Sequence, residues 1–350
     1  MSLAPLNQLT IDNPLTYLSR KNAHPRDVNI RFQEEGHIYW ITGMEGHPTS
    51  TTTLIHKFFE PFVPDEVATK MVKGRNKDNE TWEYYGMTVE EIKKKWIDSS
   101  VLGTDMHQAI EDYINLEACP KGVEIIPNFT LPTPEEIDSR SNSSYNSNSS
   151  SDPDPDPDSN SSNSSSSDAE CIKFKVPAVP EEKKKEEWNL PRLPPVASQT
   201  KEFDYFLKFW ADLKKRQPGI EAYRTEWLVY DLFKRVSGSI DLTMRAANGK
   251  LRLYDWKRSK GINKEGYKGK KGKSIFSHLD DCNFTTYSIQ LNIYRHYLET
   301  NYGEEIEYMA LVVLHPTNDE YIEMEVSFMQ EEVDALWNLL PLSPEDAASH

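Results

Sequence analysis

The chain has 350 residues, and its 56 acidic residues outnumber its 40 basic residues, which gives a formal net charge of −16. That balance argues at first against a partner as anionic as nucleic acid. A hydrophobic content of 37% and a mean hydropathy of −0.69 are low for a compact globule, so part of the chain is predicted to stay unpacked. No apolar run approaches the roughly 18 residues of a membrane-spanning helix, so no membrane partner is expected.

The N-terminal segment 1–25 lacks a basic stretch followed by an apolar one, so no secretory signal peptide is expected. The three cysteines, Cys119, Cys171 and Cys282, are far apart, which fits a reducing interior better than a disulfide framework. They are too few for an iron–sulfur cluster held by four thiolates. We therefore expect a soluble, intracellular protein; the nucleus, the cytoplasm, the mitochondrion and a virus-associated location all stay open.

The clearest boundary in the sequence is compositional. Residues 139–168 consist almost wholly of Ser, Asn, Asp and Pro, and Pro-rich and charged segments flank them on both sides. We predict a long disordered insert at 119–195. The rest is divided into an N-terminal tail (1–27), an accessory N-terminal lobe of a hairpin plus helices (28–100), a core (101–118 and 196–328), and a C-terminal helix and tail (329–350).

Before the insert, residues 28–51 predict two short strands with glycine-containing turns. A helix is expected to start in the hydroxyl-rich segment 50–59, where apolar residues recur at helical spacing. Thr88 and Glu91 form a capping box that predicts the start of another helix. Residues 103–115 predict a further helix.

After the insert, residues 201–219 predict an amphipathic helix that is stopped by Pro218 and Gly219. The hydrophobic period then changes from 3.6 to 2. Three strands are predicted at 220–231, 236–246 and 250–258. A basic loop leads into a helix that ends at Gly303, and two strands and a final helix follow, so the predicted fold class is α/β.

Charged residues on two of the predicted strands form the first candidate site. Asp255 and Lys257 are two residues apart, so both point to the same face of one strand. Asp241 on the preceding strand stands opposite Asp255 only if the connecting loop has an odd number of residues. A two-residue turn would send the carboxylates to opposite faces. We predict the three-residue alternative, 247–249, with Gly249 in the left-handed conformation.

Two carboxylates that converge on one point repel each other unless a proton or a cation lies between them. Hard oxygen ligands suit Mg²⁺ or Mn²⁺, which keep some water ligands and bind substrate phosphate. A neighbouring lysine is suited to orient a phosphate oxygen or an attacking water. The set of Asp241, Asp255 and Lys257 therefore points to metal-dependent phosphodiester hydrolysis.

The segments "GSID" (238–241) and "DWK" (255–257), with "GTDMH" upstream and "QLNIYRHYL" downstream, resemble the RecB-type branch of the PD-(D/E)XK nuclease superfamily. Within that branch the chain is similar to the mitochondrial genome maintenance exonuclease group and to related nucleases of large DNA viruses and phages. The motifs cover 103–114 and 221–315. The resemblance implies a restriction-endonuclease-like core with a mixed central sheet flanked by helices, and a deoxyribonuclease that uses Mg²⁺ or Mn²⁺.

The same resemblance implies roles for individual residues. Those implied for metal binding are His107, Asp241, Asp255, the backbone carbonyl of Trp256 and, more loosely, Glu226. Those implied for catalysis are Asp241, Asp255 and Lys257. Gln290 and Tyr294, four apart on one helix face, are implied to contact the substrate.

Each assignment has a simpler structural alternative. A histidine on a helix is often an ordinary core or surface residue. Glu226 is as compatible with a solvated edge-strand acid as with a metal ligand. The helix that carries Gln290 and Tyr294 is also compatible with an ordinary amphipathic helix, whose tyrosines would belong to the core.

The segment 257–273 carries eight basic residues and one acid, a local charge of +7. A glycine-rich basic loop that follows the site strand suits an arm that grips phosphates. Its candidate substrate contacts, besides Lys257, are Lys260, Lys264, Lys268, Lys270, Lys271 and Lys273. A local field matters more to a phosphate than the total charge does, so the net charge of −16 no longer excludes DNA as the partner.

We therefore predict a metal-dependent deoxyribonuclease, an exonuclease that acts on DNA ends or single strands in replication, repair, recombination or processing and leaves 5′-phosphates. The alternative is a catalytically inactive protein of the same fold that binds DNA or acts as a scaffold. The sequence leaves open whether cutting is exonucleolytic or endonucleolytic, the polarity, the strand preference, the choice between DNA and RNA, the oligomeric state, the role of the insert and any protein partners.

Overall fold

The computed structural model describes residues 16–33, 36–120 and 200–341. The insert predicted at 119–195 lies outside these residues except for its first two positions. The elements before the long gap are α1 (Tyr17–Lys21), β1 (Ile30–Gln33), β2 (Ile38–Ile41), β3 (Thr49–Ser50), α2 (Thr51–His56), α3 (Pro64–Val72) and α4 (Val89–Ala118). Those after it are α5 (Lys201–Arg216), β4 (Glu221–Asp231), β5 (Val236–Arg245), β6 (Leu251–Lys257), α6 (Asn283–Asn301), β7 (Ile306–Val313), β8 (Ile322–Glu325) and α7 (Gln330–Leu339).

A mixed sheet forms the centre of the described chain, as expected. Its order is β3, β5, β6, β7 and β8, and β4 pairs along the whole length of β5. The β3–β5 and β6–β7 pairs are parallel, and the remaining pairs of this sheet are antiparallel. Strands β1 and β2 form a separate antiparallel ribbon.

Helices cover both faces of the sheet, because the strands are apolar on both sides. Along β6, Leu251 and Leu253 pack with α2, α6 and α7, whereas Tyr254 and Trp256 pack with α4 and α5. None of the helices in the described ranges is both long and apolar enough to cross a lipid bilayer. The α/β class and the flanking helices are therefore confirmed.

Helix α4 is a single element where the sequence predicted two. Its start is the predicted capping box, in which the Thr88 hydroxyl accepts from the Glu91 N–H and the Glu91 carboxylate accepts from the Thr88 N–H. The helix does not end near Gly103, because one glycine lowers helix stability by only about 1 kcal/mol relative to alanine. The domain division placed at residue 100 therefore falls inside one continuous helix.

The N-terminal region is joined to the core rather than separated from it. Within the predicted tail, Leu18 of α1 is fully buried, and its backbone N–H donates to Asn115 Oδ1 of α4 (3.0 Å). Within the predicted lobe, β3 pairs with β5, and the Thr51 hydroxyl donates to the Ser237 carbonyl (2.9 Å). Both segments therefore contribute to the packing that supports the sheet.

The loop between β5 and β6 has the predicted odd length. A backbone hydrogen bond of 2.9 Å closes the three residues 247–249, and Gly249 has a φ of +87°. The register of the two strands, continued by one position, brings Asp241 opposite Asp255. The two carboxylates therefore stand at neighbouring positions, as the parity argument required.

Gly238 of β5 allows α6 to approach the sheet closely. A Cβ atom at this position would lie 2.5 Å from Cε1 of the buried Tyr294 ring. We predict that Gly238→Ala lowers the free energy of unfolding by about 1–3 kcal/mol, because the ring or the helix must shift. Urea denaturation followed by circular dichroism measures this change. Gly261→Ala, whose Cβ would meet open space, is the control, and equal losses in both variants would contradict the prediction.

Candidate metal centre

The candidate site lies where β5 and β6 stop pairing. Their last paired residues are Leu242 and Tyr254. Beyond them, Asp241 Oδ2 takes the place of a backbone acceptor and accepts from the Trp256 N–H (2.8 Å). The Trp256 carbonyl lies 3.1 Å from His107 Nε2 of α4, and because a carbonyl only accepts, Nε2 carries the proton. The fork between the strands thus opens the backbone of β6 to side chains.

Three carboxylates lie in one row across neighbouring strands. The strand registers place Glu226 opposite Asp241, and Asp241 opposite Asp255. His107 Nδ1 lies 3.7 Å from Glu226 Oε1 and 3.5 Å from Asp241 Oδ2. Ligand atoms of His107, Glu226 and Asp241 all lie within 4.8 Å of one another. These three residues form a group that could hold one metal ion.

Glu226 takes its place in the row through an unusual backbone conformation. Its φ is +41°, in a region that few residues other than glycine adopt, and such strain costs about 1–3 kcal/mol. The Ser239 hydroxyl donates to Glu226 Oε2 (2.8 Å) and holds the carboxylate. Glu226 is thus a full member of the cluster, although the sequence argument included it only loosely.

Asp255 is the most buried acid of the row, with 3% of its side chain exposed. Lys257 Nζ lies 2.6 Å from Asp255 Oδ2, so the buried carboxylate and the ammonium group form a direct ion pair. The lysine also lies over the Tyr287 ring of α6, 4.4 Å from its centre. The acid and the lysine are therefore enclosed between the sheet and α6.

Burial and crowding change the protonation of these groups. Burial, and then the charge of Asp255, raise the pKa of Asp241 to about 7. Burial opposes protonation of His107, but Asp241 and Glu226 outweigh it and raise the pKa of the imidazole to about 9. Burial likewise opposes the charge of Lys257, yet Asp255 and Asp241 raise its pKa above the ordinary value. Three carboxylates thus face two cationic groups, which leaves a field that attracts a cation.

Helix α6 borders the site on the face opposite to His107. Gln290 Nε2 donates to the Tyr294 hydroxyl (3.0 Å), and the Tyr294 ring is a core residue with 3% exposure. Burial chiefly, with Tyr39, Asp255 and Asp241 nearby, raises the pKa of Tyr294 well above its ordinary value. The pair therefore lies beside the carboxylates, but the tyrosine ring is not available to stack on a ligand.

Tyr39 of β2 is a neighbour of the site that the sequence did not indicate. Its side chain is buried, and burial, followed by the charges of Glu226 and Asp241, raises the pKa of its hydroxyl. Nothing in the local sequence links this ribbon to strands that come much later in the chain. Glu226, in contrast, was already implied by the family resemblance, and the register of β4 with β5 independently places it opposite Asp241.

The basic loop after β6 is largely neutralised. Its ion pairs are Lys260 with Glu83, Lys270 and Lys273 with Glu60 (3.9 and 3.0 Å), and Lys271 with Asp280 (2.9 Å). Lys264 and Lys268 lie instead over aromatic rings, and neither forms an ion pair within the described ranges. The local charge of +7 therefore overstates the field that a phosphate would meet, and the loop is anchored to the N-terminal region rather than extended as an arm.

The described residues thus combine a mixed α/β sheet with a candidate metal centre at a fork between two strands. No protein-family model matches this chain, and no curated protein matches it. The donor atoms, which are carboxylate oxygens with one imidazole nitrogen, are the remaining guide to what the centre binds.

Replacing Asp241 tests the repulsion within the row. In EDTA at pH 8, we predict that Asp241→Asn melts at a higher temperature than the wild type, because it removes one of three crowded charges. The pKa of Asp241 is raised from 3.8 to about 7 by folding. The ionised Asp241 therefore destabilises the wild type fully above pH 7, and this effect vanishes below pH 3.8. The advantage of the variant should therefore shrink between pH 8 and pH 5, as measured by thermal unfolding.

In the presence of Mg²⁺ or Mn²⁺, the wild type should melt at a higher temperature than Asp241→Asn. A ligand at 100 times its Kd stabilises the folded state by about 2.7 kcal/mol, so the melting temperature of the wild type should rise, and Asp241→Asn should lose the rise. Glu320→Gln, which alters an exposed acid, is the control and should keep it. If neither ion changes the melting temperature of the wild type, the assignment of a metal centre is contradicted.

Proposed function

We propose that the chain is a divalent-metal-dependent deoxyribonuclease of the PD-(D/E)XK type. The observation that supports this most directly is the meeting of Asp241, Asp255 and Lys257 at the fork between β5 and β6, on the strands where the motif requires them. A mixed sheet with α4 on one face and α6 on the other is compatible with the fold that the motif implies.

The residues at the fork fit a divalent cation. Asp255 is a buried carboxylate whose Oδ2 contacts the Lys257 ammonium group (2.6 Å), and an ionised carboxylate with one such contact keeps lone pairs for coordination. Glu226, Asp241 and His107 offer further ligand atoms, and the Trp256 carbonyl adds another oxygen. A set with more oxygen than nitrogen donors favours Mg²⁺ or Mn²⁺ over softer metals. When bound, such an ion supplies Lewis-acid stabilisation of charge on the phosphate.

Lys257 acts on the substrate as a hydrogen-bond donor. Its pKa is raised, despite burial, by Asp255 and Asp241, so it stays protonated and does not serve as a general base. The Tyr287 ring and the Asp255 carboxylate hold its ammonium group in place, which suits it to orient a phosphate oxygen or the attacking water. Water attacks the phosphorus and loses a proton to solvent, and the bond between phosphorus and the 3′ oxygen breaks. The 3′ oxygen takes up a proton, and the phosphate stays on the 5′ end of the next nucleotide.

The site is enclosed, which favours a single strand over a duplex as the substrate. Asp255 and Lys257 are 3% and 18% exposed, between the sheet and α6. A site this enclosed admits a single strand or a frayed end more readily than an intact duplex. We therefore favour cleavage of single strands and frayed ends, and we propose that the enzyme cuts from an end, as an exonuclease.

Lys257→Ala is predicted to reduce Mg²⁺-dependent DNA cleavage by about 100- to 1000-fold, because one preorganised charge that contacts the reacting phosphate is lost. The assay uses end-labelled linear, circular and single-stranded DNA side by side, and circular duplex should resist. Lys70→Ala, at a surface lysine paired with Glu66, is the matched control and should cleave normally.

A Lys257→Ala protein as active as the wild type would overturn the proposed role. If the folded wild type binds DNA but cleaves no substrate with Mg²⁺ or Mn²⁺, the inactive DNA-binding alternative is correct. Cleavage of circular duplex at the same rate as linear duplex would contradict the requirement for ends.

Two lysines of the basic loop are predicted to contribute most to DNA binding. Lys264 and Lys268 have no ion pair within the described ranges, whereas Lys271 and Lys273 are already paired with acids. Alanine at both unpaired positions should weaken single-strand binding. It should also reduce the slope of log K against log salt by about 1.4, because each lost phosphate contact on a single strand lowers the slope by about 0.7. Fluorescence anisotropy at several salt concentrations measures the slope. The Lys271→Ala/Lys273→Ala variant should change it less; equal effects would contradict the distinction.

A further inference from the structure

The ribbon of β1 and β2 has two faces of different character. Its inner face carries Ile30, Tyr39 and Ile41, which are buried. Its outer face carries Arg31 and Trp40, which stand directly opposite each other across the two strands. Trp40 is 48% exposed, which is unusual for so large an aromatic side chain.

The outer face borders an open depression of about 580 Å³. It is lined by Asn29, Arg31, Phe32, Gln33, Trp40, Ile41 and Thr42, of which Phe32 and Ile41 belong to the inner face of the ribbon. Among the described residues, none of the side chains that line it is acidic, although the chain as a whole carries a net charge of −16. Within the described ranges, Arg31 forms no ion pair, so its charge is available to an anionic ligand.

Trp40 is held in position without a ligand. The His47 ring packs edge-on against the indole with centroids 4.1 Å apart. His47 is itself fixed, because its Nδ1 lies within hydrogen-bond distance of the Tyr39 carbonyl (3.1 Å). A platform that is already ordered loses little conformational entropy when a flat ligand stacks on it.

A nucleobase with its phosphate matches the chemistry of this surface. An indole stacks on any base, a guanidinium binds phosphate or stacks in turn, and side-chain amides both donate to and accept from base edges. A protein partner would be expected to meet a larger apolar patch than one indole surrounded by amides. From this combination we infer that the outer face of the ribbon binds an unpaired nucleotide of a single strand, with its base on Trp40 and its phosphate beside Arg31.

The ribbon lies next to the candidate metal centre. It packs against β4 through Tyr230, and Tyr39 on its inner face is close enough to Glu226 and Asp241 for their charges, after burial, to affect its pKa. Trp40 lies on the opposite face of the same ribbon, so a strand that occupies both the centre and Trp40 would have to extend around the ribbon. The inference rests on the proposed function, because a nuclease at the metal centre is the reason to expect a single strand here. It adds a second site, which binds the strand at a distance from the bond that is cleaved.

The test measures binding and not cleavage, so its outcome does not depend on nuclease activity. A fluorescein-labelled single strand of about 12 nucleotides, within the range that single-strand sites occupy, is titrated in EDTA and followed by anisotropy. Trp40→Ala should raise Kd about tenfold, whereas Trp40→Phe, which keeps a stacking ring, should raise it less. Phe233→Ala, at an exposed aromatic residue of the β4–β5 turn, is the matched control and should bind like the wild type.

Ultraviolet cross-linking of the wild type to the same strand carrying 5-iodouracil gives a second readout that needs no variant. Mass spectrometry should place the adduct on Trp40. Equal Kd values for the wild type and Trp40→Ala, no binding by the wild type, or adducts only outside the ribbon would each overturn the inference. If the wild type fails to cleave DNA while Trp40→Ala still weakens binding, the nuclease proposal is wrong and the nucleotide site stands.

Discussion

Mutual repulsion among Glu226, Asp241 and Asp255 is the constraint on which the rest of the site depends. Three carboxylates at adjacent positions on neighbouring strands destabilise the fold unless positive charge or N–H donors surround them. The chain supplies His107 from one face of the sheet and Lys257 from the other. Helix α4 and strand β6 therefore provide the electrostatic balance, while the helices on both faces supply the hydrophobic cover.

That balance requires the sheet to be interrupted. If β5 and β6 had continued to pair, the Trp256 N–H and carbonyl would have been used in the ladder and closed to side chains. Instead, β6 pairs with β5 near one end and β3 pairs with β5 at Val236 and Ser237, near the other. The interval between them is where Asp241 stands and where Tyr294 packs on Gly238. One edge of β5 is therefore free to face the side chains of the site, while β4 pairs with its other edge and keeps β5 in the sheet.

Features that depend on local rules were predictable from the sequence. The capping box at Thr88, the left-handed Gly249 and the odd loop each follow from a few adjacent residues, and the loop alone fixed which carboxylates meet. Features that depend on distant pairing were not. The pairing of Lys260 with Glu83 joins segments far apart in the chain, and the positive φ of Glu226 is imposed by its surroundings. Helix α4 continues through Gly103, where the sequence predicted the start of a second helix, because the cost of one glycine is small relative to a helix of this length.

The continuity of α4 links the imidazole to a distant contact surface. Near its start, Lys95 pairs with Glu83 (3.0 Å) and Trp96 donates to the Tyr84 hydroxyl (3.3 Å), and His107 follows three turns later. In an α-helix each residue adds about 100° of rotation and about 1.5 Å of rise. One residue inserted or deleted between Trp96 and His107 would therefore turn the imidazole away from the carboxylates. The number of residues between Trp96 and His107 therefore sets the direction in which the imidazole points at the site.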